Sequence, residues 1–508
     1  MSFLSTDVAL GLDLGTTNCK VLALDVNGRT IAVASSPTPL RRTESAAGEC
    51  AEEFDANELW VATARLIREV VDAIGPNRRV AGLAVSSLAE SGALLDTSGR
   101  PLTSIIPWYD TRTLSWLPWW RERIADSDTF ALTGLVPRHI YSAYRLLWYA
   151  EHCPQAFAQA RTWLCVADWV TYCLTGELST SYPMASRTLL FDVRRRAWSP
   201  ELLRLAGLPQ SLLPPAYPSG EIVGRVSREA AEATGLPEGI PVAAGGHDHL
   251  CAALAAGVIQ PGPMLDSAGT AEPMMVALDA PALDASVAAS GFTCGCHTAR
   301  NRYYLLGGIM SGGVVNWLGR TLIGDDSPAA INQLMQIAAG SPPGAHGLWF
   351  DPYLDGSAPP ERDAEAWGAW LGLRLKHTRA DMVRSAMEGL TYALRQVFEG
   401  MQKAAGFPAS ELRVVGGSSR NAWWQALKAD VFGAPVSTLT IADVAAQGAA
   451  LLAGLAAGMY RDEDEAIACV YHPAVCYQPD PELHALYSAA YRRVFGGFYP
   501  ALKALPLA

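Results

Sequence analysis

A strand–turn–strand pattern that occurs twice is the feature that most constrains the fold of this chain. Residues 8–26 read VALGLDLGTTNCKVLALDV, where one apolar run enters a Gly-Thr-Thr turn and another leaves it. Residues 264–278 read MLDSAGTAEPMMVAL and repeat the pattern. Two apolar runs joined by a short glycine-containing turn predict a β-hairpin. Aligning Gly15 with Gly269 puts the hairpins 254 residues apart, half of the 508-residue chain.

A second pair of segments supports a duplicated architecture. Residues 79–87 and 412–419 are both strands of buried type that run into small residues. Between such strands lie segments with apolar residues every three or four positions, which predict amphipathic helices over residues 58–74 and 380–405. Strands that alternate with helices predict α/β domains. We therefore expect two similar domains, residues 1–250 and 251–508, and a helical tail from about residue 473.

Composition excludes some classes of protein. The net charge is −11 and no long basic run is present, which argues against a nucleic-acid partner. No uninterrupted apolar stretch of about 18 residues occurs, so no membrane span is predicted. The N-terminus lacks the basic and apolar regions of a signal peptide. The ten cysteines then predict reduced thiols and a cytoplasmic location.

The two glycine–threonine turns could bind phosphate. A glycine turn leaves backbone N–H groups accessible, and the hydroxyls of Thr16 and Thr17 and the amide of Asn18 add donors for phosphate oxygens. Lys20 can add a positive charge if its side chain faces the turn. The second turn, at residues 269–270, would face the first across a cleft and clamp a triphosphate between them. The alternative is that both are ordinary hairpins.

One carboxylate and two glycine-rich segments extend this prediction of a nucleotide site. Asp13, at the end of the first strand, is a hard oxygen ligand that could hold Mg²⁺ through water. Residues 311–320 and 414–436 each place small residues before a helix, where a flat base could lie against the backbone. The helix that starts near Asn421 offers its N-terminus and the asparagine amide. Its apolar face around Trp424 predicts core packing.

The segment GGHDHLCAAL, residues 245–254, places an aspartate where a buried strand gives way to a helix. The positive end of the helix dipole favours the ionised form of Asp248. An ionised carboxylate there can accept a hydroxyl proton, or it can simply cap the helix. The flanking His247 and His249 would need a third ligand to form a metal site, and nothing nearby in the sequence supplies one. His247 is better explained as a packing residue at the end of the strand.

Several segments, in this order along the chain, together resemble the FGGY carbohydrate kinases. They are GLDLGTTNCK, GGHDHLCAAL, SAGT, SGGVVNWL and VVGGSSRNAWWQALKADVFGAPV. The resemblance covers nearly the whole chain. It implies the actin-like ATPase (ribonuclease H-like) fold, an α/β fold duplicated in two domains with an interdomain cleft. It also implies ATP-dependent phosphorylation of a hydroxyl of a sugar, such as a ketose, or of a polyol.

The resemblance also implies roles for individual residues. Asp248 stands at the position of the family's general base, and Mg²⁺ would lie near Asp13. Lys20 stands where glycerol kinases carry Arg, and Asn316 where they carry Gln. The positions of the family's nucleotide-binding residues fall on Thr16, Thr17, Asn18, Lys20, Gly269, Thr270, Gly312, Asn316, Gly417 and Asn421.

The expected sugar-binding residues depart from the glycerol kinase pattern. Glycerol kinases carry Arg-Glu where this chain has Ala and Glu90, so we expect a longer ketose or polyol rather than glycerol. His249 would hydrogen-bond substrate hydroxyls. In PWYDTR, residues 107–112, Trp108 could stack on a sugar face or pack in the core, and Asp110 and Arg112 could bind hydroxyls. The aromatic residue that covers glycerol maps weakly to residue 140.

Some questions stay open at the level of sequence. The alternative function is an actin-fold ATPase, or a regulator that binds sugar without kinase turnover. Glycerol or another short polyol is the alternative substrate, and a homodimer is possible. The CGC pair of Cys294 and Cys296, followed by His297, lacks a second ligand pair with metal-site spacing. The cluster SWLPWW, residues 115–120, could be a lid or a subunit contact.

Overall fold

The first sheet is built around the first repeated hairpin. The computed structural model describes residues 6–44, 50–269, 271–357, 359–360, 362–363, 365–439 and 442–504. The strands of this sheet are β1 (Asp7–Leu14), β2 (Asn18–Asp25), β3 (Thr30–Pro37), β4 (Arg79–Ser87), β5 (Ile222–Arg225) and β6 (Pro241–His247). They lie in the order β5-β6-β4-β1-β2-β3. The hairpin β1–β2 is antiparallel, and β1, β4 and β6 run parallel.

The second sheet is built around the second hairpin. Its strands are β7 (Pro263–Ser267), β8 (Glu272–Leu278), β9 (Thr293–Cys296), β10 (Tyr303–Ile309), β11 (Glu411–Val415), β12 (Val436–Leu439) and β13 (Pro473–Tyr477). They lie in the order β9-β10-β8-β7-β11-β12-β13. The hairpin β7–β8 is antiparallel, and β7, β11 and β12 run parallel.

Six strands of each sheet have the same order and the same directions, and β9 is an additional edge strand of the second sheet. The run β3-β2-β1-β4-β6-β5 in the first corresponds to β10-β8-β7-β11-β12-β13 in the second. In both, two antiparallel pairings on one side of the central strand are followed by two parallel pairings and a final antiparallel one. The duplication that the hairpins predict is therefore present in the whole sheet, and the predicted α/β class is confirmed.

Six helices matter for the site, and the predicted ones among them form. They are α1 (Ala56–Ile74), α2 (Asp248–Ala255), α3 (Ser311–Leu322), α4 (Arg379–Ala405), α5 (Ala422–Phe432) and α6 (Val444–Ala457). The carboxylate of Asp55 accepts backbone N–H bonds at the start of α1, and a capping box of Thr378 and Asp381 starts α4. The apolar periodicity of α1 and α4 buries one face of each against a sheet.

Short elements connect these layers. Further helices are Trp116–Arg121, Asp126–Thr133, Ser142–His152, Pro154–Gln159, Val166–Thr175, Tyr182–Ala185, Pro200–Ala206, Arg228–Thr234, Ala285–Ala289, Pro328–Ala339, Glu463–Val470, Pro481–Ala490 and Gly496–Lys503. Further strands are Arg41–Glu44, Cys50–Glu53, Gly92–Leu95, Thr162–Cys165, Thr180–Ser181, Phe191–Asp192, Ala197–Trp198, Ala216–Tyr217, Trp349–Asp351 and Ala369–Leu371.

The parts of the protein built around the first and the second sheet are here called the first and the second lobe. The helices that follow β6 and β12 join them. Although α6 belongs to the second half of the sequence, it packs on β1, β4 and β6 of the first sheet. A Cβ at Gly11 would lie 1.9 Å from the carbonyl oxygen of Ala446, and one at Gly448 would lie 1.9 Å from that of Cys251. Glycine is therefore required for α6 to approach β1 and α2 so closely. The result is a shared core of small side chains between the lobes.

The C-terminal segment differs from the prediction of a helical tail from about residue 473. Residues Pro473–Tyr477 form the edge strand β13, which pairs with β12, and the helices begin at Pro481. The extended conformation wins because an antiparallel partner is available at the edge of the sheet. The helices then bury Tyr487 and Phe495 in the second core. Within the described ranges, no helix is long and apolar enough to cross a membrane.

Two clusters that sequence analysis left open are mostly structural. Cys294 and Cys296 are buried on β9, and His297 accepts a backbone N–H bond from Ala299, so these side chains belong to the core. The cysteines whose side chains are described are free. In the tryptophan cluster, Trp120 is fully buried and donates to the Thr129 hydroxyl.

Candidate active site

A cavity of about 510 Å³ lies between the lobes. From the first lobe it is lined by Thr16 of the first turn, by Trp108 and by Asp248. From the second it is lined by Ala271, beside the second turn, and by the end of β10. The cavity thus borders the first turn and the residue that follows the second. Its volume is in the range of small-molecule sites.

Asp248 faces this cavity at the junction of β6 and α2. Its Oδ1 accepts the backbone N–H of His249 at 2.6 Å, and the Nε2 atoms of His247 and His249 lie 3.1 and 3.9 Å from the same oxygen. Burial acts to raise the pKa of Asp248, but attraction to the two histidines, the N–H bond and Arg187 outweigh it, and the pKa is lowered. Asp248 is therefore an ionised carboxylate, as the helix dipole predicts.

The two histidines differ in their surroundings. Burial lowers the pKa of His247 to about 3, so this ring is neutral, and its Nδ1 has no hydrogen-bond partner in the described part of the chain. His249 is about one-third exposed and lines the cavity, where sequence analysis places a substrate contact. Atoms of His247, Asp248 and His249 all lie within 4.8 Å of one another. Asp248 can therefore supply the third metal ligand that the sequence pattern around the two histidines did not suggest.

Asp13 and Asp443 bring two more carboxylates to this region. Asp13 lies at the end of β1, where burial and the charge of Asp248 raise its pKa to about 7. Lys20, opposite Asp13 in the hairpin, forms an ion pair with Asp443 at the start of α6. Its ammonium thus lies against a carboxylate of the second half rather than free in the turn. Asp13, Asp248 and Asp443 together carry more negative charge than Lys20 can neutralise. Carboxylate oxygens in such an environment suit Mg²⁺, so these residues fit the predicted ion.

Sequence analysis missed Asp443. Asp443 precedes α6, which follows β12, in the same way that Asp248 begins α2, which follows β6. The duplication contained the signal, because the strand–helix junctions of the two halves correspond. Asp443 also has a positive φ of 57°, an uncommon conformation for a residue other than glycine.

The two glycine–threonine turns join antiparallel strands, as predicted. In the first, the Gly15 N–H donates to the Asn18 carbonyl, and the side chains of Thr17 and Asn18 are exposed. The Trp108 indole donates to the Thr16 hydroxyl at 3.2 Å. In the second, the Gly269 N–H donates to carbonyls on either side of the turn, and Thr270 lies outside the described residues.

The predicted base-binding residues lie at the starts of two helices. Gly312 falls in the first turn of α3 rather than before it, and Asn316 lies one turn further along. Gly417 begins a short turn of 3₁₀ helix, Gly417–Arg420, which leads into α5. Asn421 caps α5, because its side-chain oxygen accepts the backbone N–H of Trp424. These residues do not line the cavity described above, so their part in nucleotide binding stays a prediction.

A buried ion network ties these elements together. The Lys428 ammonium of α5 lies 2.6 Å from Asp266 and also pairs with Glu272, all three being inaccessible to solvent. Ser311, at the start of α3, donates to Glu272. The network therefore joins both strands of the second hairpin to α3 and α5. Nothing in the local sequence pattern predicts it, because its members are far apart in the chain.

Glu90 lies in the cavity lining, as predicted for a substrate contact. It is buried, has a left-handed φ of 66°, and its Oε1 is 2.5 Å from a guanidinium nitrogen of Arg187. Arg187 also lines the cavity and was missed by sequence analysis. Arg187 thus places a cation next to Glu90, where glycerol kinases carry an arginine at the position of Ala89. A single charge within the apolar segment 182–191 was the available signal, since a buried charge needs a partner.

The PWYDTR segment only partly meets its prediction. Trp108 lines the cavity, and so does Ile140. Asp110 and Arg112 are not among the residues that line it. The Arg112 guanidinium pairs with Asp110 and with Glu53, and Asp110 also caps the following turn. The correction has a simple reason: a closely spaced Asp-x-Arg pair satisfies its own charges.

The fold and the site together define a class of protein. Two lobes of matching strand order enclose a cavity that is lined by the ionised Asp248, by Thr16 of the first turn and by Ala271, which follows the second turn. The chain belongs to the FGGY family of carbohydrate kinases, whose N-terminal domain matches residues 8–255 and whose C-terminal domain matches residues 264–457. Its fold is the duplicated actin-like ATPase fold, and it phosphorylates a sugar with ATP. The alternative of a non-kinase ATPase or regulator finds no support.

Relatives resemble this chain over nearly its full length. It is 31% identical over 483 residues to an L-fuculokinase of Escherichia coli (strain K12), which covers 94% of this chain and 98% of the relative. The solved structure of the xylulose kinase of Rhodospirillum rubrum is 28% identical in sequence and superposes with a TM-score of 0.88. The match covers 98% of this chain and 99% of that kinase. The gluconate kinase of Lactobacillus acidophilus is 25% identical, with a TM-score of 0.89, covering 98% of each chain.

Proposed function

We propose that Asp248 is the general base of the sugar phosphorylation. The observation that carries this is its position: an ionised carboxylate in a cavity that is also lined by Thr16 of the first turn and by Ala271, next to the second. A substrate hydroxyl oxygen attacks the γ-phosphorus of ATP, the bond from that phosphorus to the bridging oxygen breaks, and ADP leaves. The hydroxyl proton passes to Asp248. In a loose transition state this transfer is late, so placement of the hydroxyl matters more than basicity.

The phosphate chain of ATP would lie between the two turns. The backbone N–H groups of residues 15–18, with the exposed side chains of Thr17 and Asn18, are available to its oxygens. Mg²⁺, when bound, would neutralise phosphate charge, and Asp13 would hold it through water. Asp443 keeps Lys20 next to this region. Closure of the lobes would exclude water, which protects ATP from hydrolysis.

The sugar would bind with its reactive hydroxyl at Asp248 and its chain along Glu90. Glu90 and His249 can hydrogen-bond hydroxyls, and Trp108 offers a flat face. The relatives named for xylulose and gluconate favour a hydroxylated chain longer than glycerol. The substrate is therefore a ketose or a polyol chain. A cytoplasmic location and a homodimer remain predictions.

The test is sugar-dependent ADP release by the full chain across a panel of pentuloses, hexuloses and alditols, with glycerol included. We expect at least one long-chain compound to stimulate release and glycerol to be poor. For that compound, Glu90→Gln should raise KM about tenfold, since a hydrogen bond to a charged group is lost. Arg112→Gln, outside the cavity, is the matched control and should change KM less than threefold. Release that no compound increases, neutral or carboxylate-bearing, would contradict the proposal.

A further inference from the structure

Two arginines in the cavity lining have no charge partner. Arg138 and Arg362 form no ion pair and no side-chain hydrogen bond within the ranges that the structure describes. Two other arginines nearby do have partners. Arg187 pairs with Glu90, and the buried Arg145 donates hydrogen bonds to the backbone carbonyls of Ile106, Ile140 and Pro107. Because a partly desolvated cation without a partner is costly, this end of the cavity suits an anion.

The charges around these two arginines reinforce that conclusion. Desolvation lowers the pKa of Arg138, and the charge of Arg187 lowers it further, while Tyr141 and Glu90 act in the opposite direction. Desolvation, followed by the charge of Arg138, lowers the pKa of Arg362 to about 10. The two guanidinium groups therefore repel each other. Asp355, which also lines the cavity, is exposed and pairs with neither.

The charges that act on Asp248 and on the two arginines overlap at Arg187 and Arg138. Asp248 interacts with Arg187, Arg138 interacts with Arg187 and Glu90, and Arg362 interacts with Arg138. Asp248 is not among the charges that act on Arg138 or Arg362. Arg187 thus interacts with Asp248 as well as with Arg138.

Each arginine comes from a different lobe. Arg138 lies between the first-lobe helices Asp126–Thr133 and Ser142–His152, and Arg362 lies between the second-lobe strands Trp349–Asp351 and Ala369–Leu371. An anion held by both would relieve their repulsion and connect the lobes. Guanidinium groups suit this task because their planar N–H donors match a carboxylate in two-point contacts.

We propose that the sugar substrate carries a carboxylate, held by Arg138 and Arg362, at the end of the chain remote from the hydroxyl that is phosphorylated. This rests on the proposed function, because it uses the same cavity and the same orientation toward Asp248. The substrate class is an aldonate: a polyol chain of about five or six carbons that ends in a carboxylate. Phosphorylation then occurs at a hydroxyl near the opposite end.

The first experiment compares substrates that differ only in the carboxylate. ADP release by the full-length protein is measured with xylonate, gluconate and galactonate, and with xylitol, glucitol and galactitol as matched neutral chains. We expect kcat/KM for at least one acid to exceed that of its alditol by tenfold or more. Turnover of neutral sugars without turnover of any acid would overturn this inference and leave the proposed function intact. Turnover of sugar phosphates but not of acids would also overturn it.

The second experiment tests the two residues. Arg138→Gln and Arg362→Gln should each lower kcat/KM for the acid on the order of tenfold to a hundredfold, and lower it for a neutral alditol less than threefold. Arg228→Gln, an exposed arginine paired with Glu232, is the control. Binding of gluconate to Asp248→Asn, measured by calorimetry, gives a readout without turnover. Equal losses for acid and alditol in folded variants, checked by their unfolding transitions, would contradict the assignment.

Discussion

The two lobes share a strand order but use their carboxylates in opposite ways. In the first lobe, Asp248 lines the cavity at the end of β6, and Asp13 lies near it at the end of β1, close enough for the charge of Asp248 to raise its pKa. In the second, Asp266 and Glu272 lie at the corresponding hairpin but are completely buried against Lys428. One lobe therefore leaves a carboxylate at the cavity, and the other uses charge to hold its own elements together.

This difference explains how a duplicated fold can serve one reaction. Carboxylates that bind a metal or accept a proton must be accessible and incompletely neutralised. The second hairpin must instead hold a fixed position relative to α3 and α5, which carry the predicted nucleotide residues. Asp443 is the intermediate case, since it occupies the junction equivalent to that of Asp248 but pairs with Lys20 of the first hairpin.

The largest expected effect is on the buried network of the second lobe. Lys428→Met should destabilise the protein by about 3–5 kcal/mol, because it leaves Asp266 and Glu272 buried without their cation. Chemical denaturation of the ligand-free protein measures this change. Lys376→Met, at an exposed lysine, is the control. A loss below about 1 kcal/mol would show that the network does not hold the second lobe together.

A smaller effect is expected where the helix of the second half crosses to the first sheet. Gly11→Ala would place a Cβ 1.9 Å from the Ala446 carbonyl oxygen, so α6 must move. We expect a destabilisation of about 1–3 kcal/mol, typical of overpacking, measured by thermal unfolding. Gly497→Ala, where nothing lies within 4 Å of the added atom, should be nearly neutral. Equal effects of the two changes would argue against the close packing of the lobes.

The smallest effect concerns Asp13 of the first lobe. Burial and Asp248 raise the pKa of Asp13 to about 7, above its value in the unfolded chain. The folded state therefore binds the proton more tightly, and the stability contributed below pH 4 is lost as pH rises through 7. Asp13→Asn removes this loss. Relative to the parent protein, the metal-free variant should therefore gain roughly 1.4 kcal/mol more stability at pH 8 than at pH 5, after discounting for screening by water.

The measurement is thermal unfolding of the two proteins at both pH values without Mg²⁺. Asp72→Asn, at an exposed helical position, serves as the control. If Asp13→Asn changed the stability equally at pH 5 and pH 8, the pKa of Asp13 would not be raised in the folded protein.

Much of the fold follows from local pattern. The hairpins at Gly15 and Gly269, the helices α1 and α4, and the junction that places Asp248 are all visible in short stretches of sequence. Each depends on the periodicity of apolar residues or on turn chemistry, which act over a few residues. The β13 strand was missed because its conformation depends on β12, 34 residues or more away in the sequence.

The charged pairs of the site could not be predicted in the same way. Arg187 pairs with Glu90 across 97 residues, and Lys428 with Asp266 across 162. Such pairs depend on where the chain brings distant segments together. Asp110 and Arg112 show the converse, because they lie only two residues apart in the sequence and their charges neutralise each other.

The central claim is that the first lobe supplies the catalytic base. The most direct test measures kcat and sugar affinity side by side in Asp248→Asn and Asp443→Asn, which remove the equivalent carboxylates of the two junctions. We predict that Asp248→Asn lowers kcat by about 10² or more while sugar still binds, and that Asp443→Asn keeps kcat within tenfold of the parent. Near-normal turnover in Asp248→Asn would contradict the account and leave that residue as a helix cap.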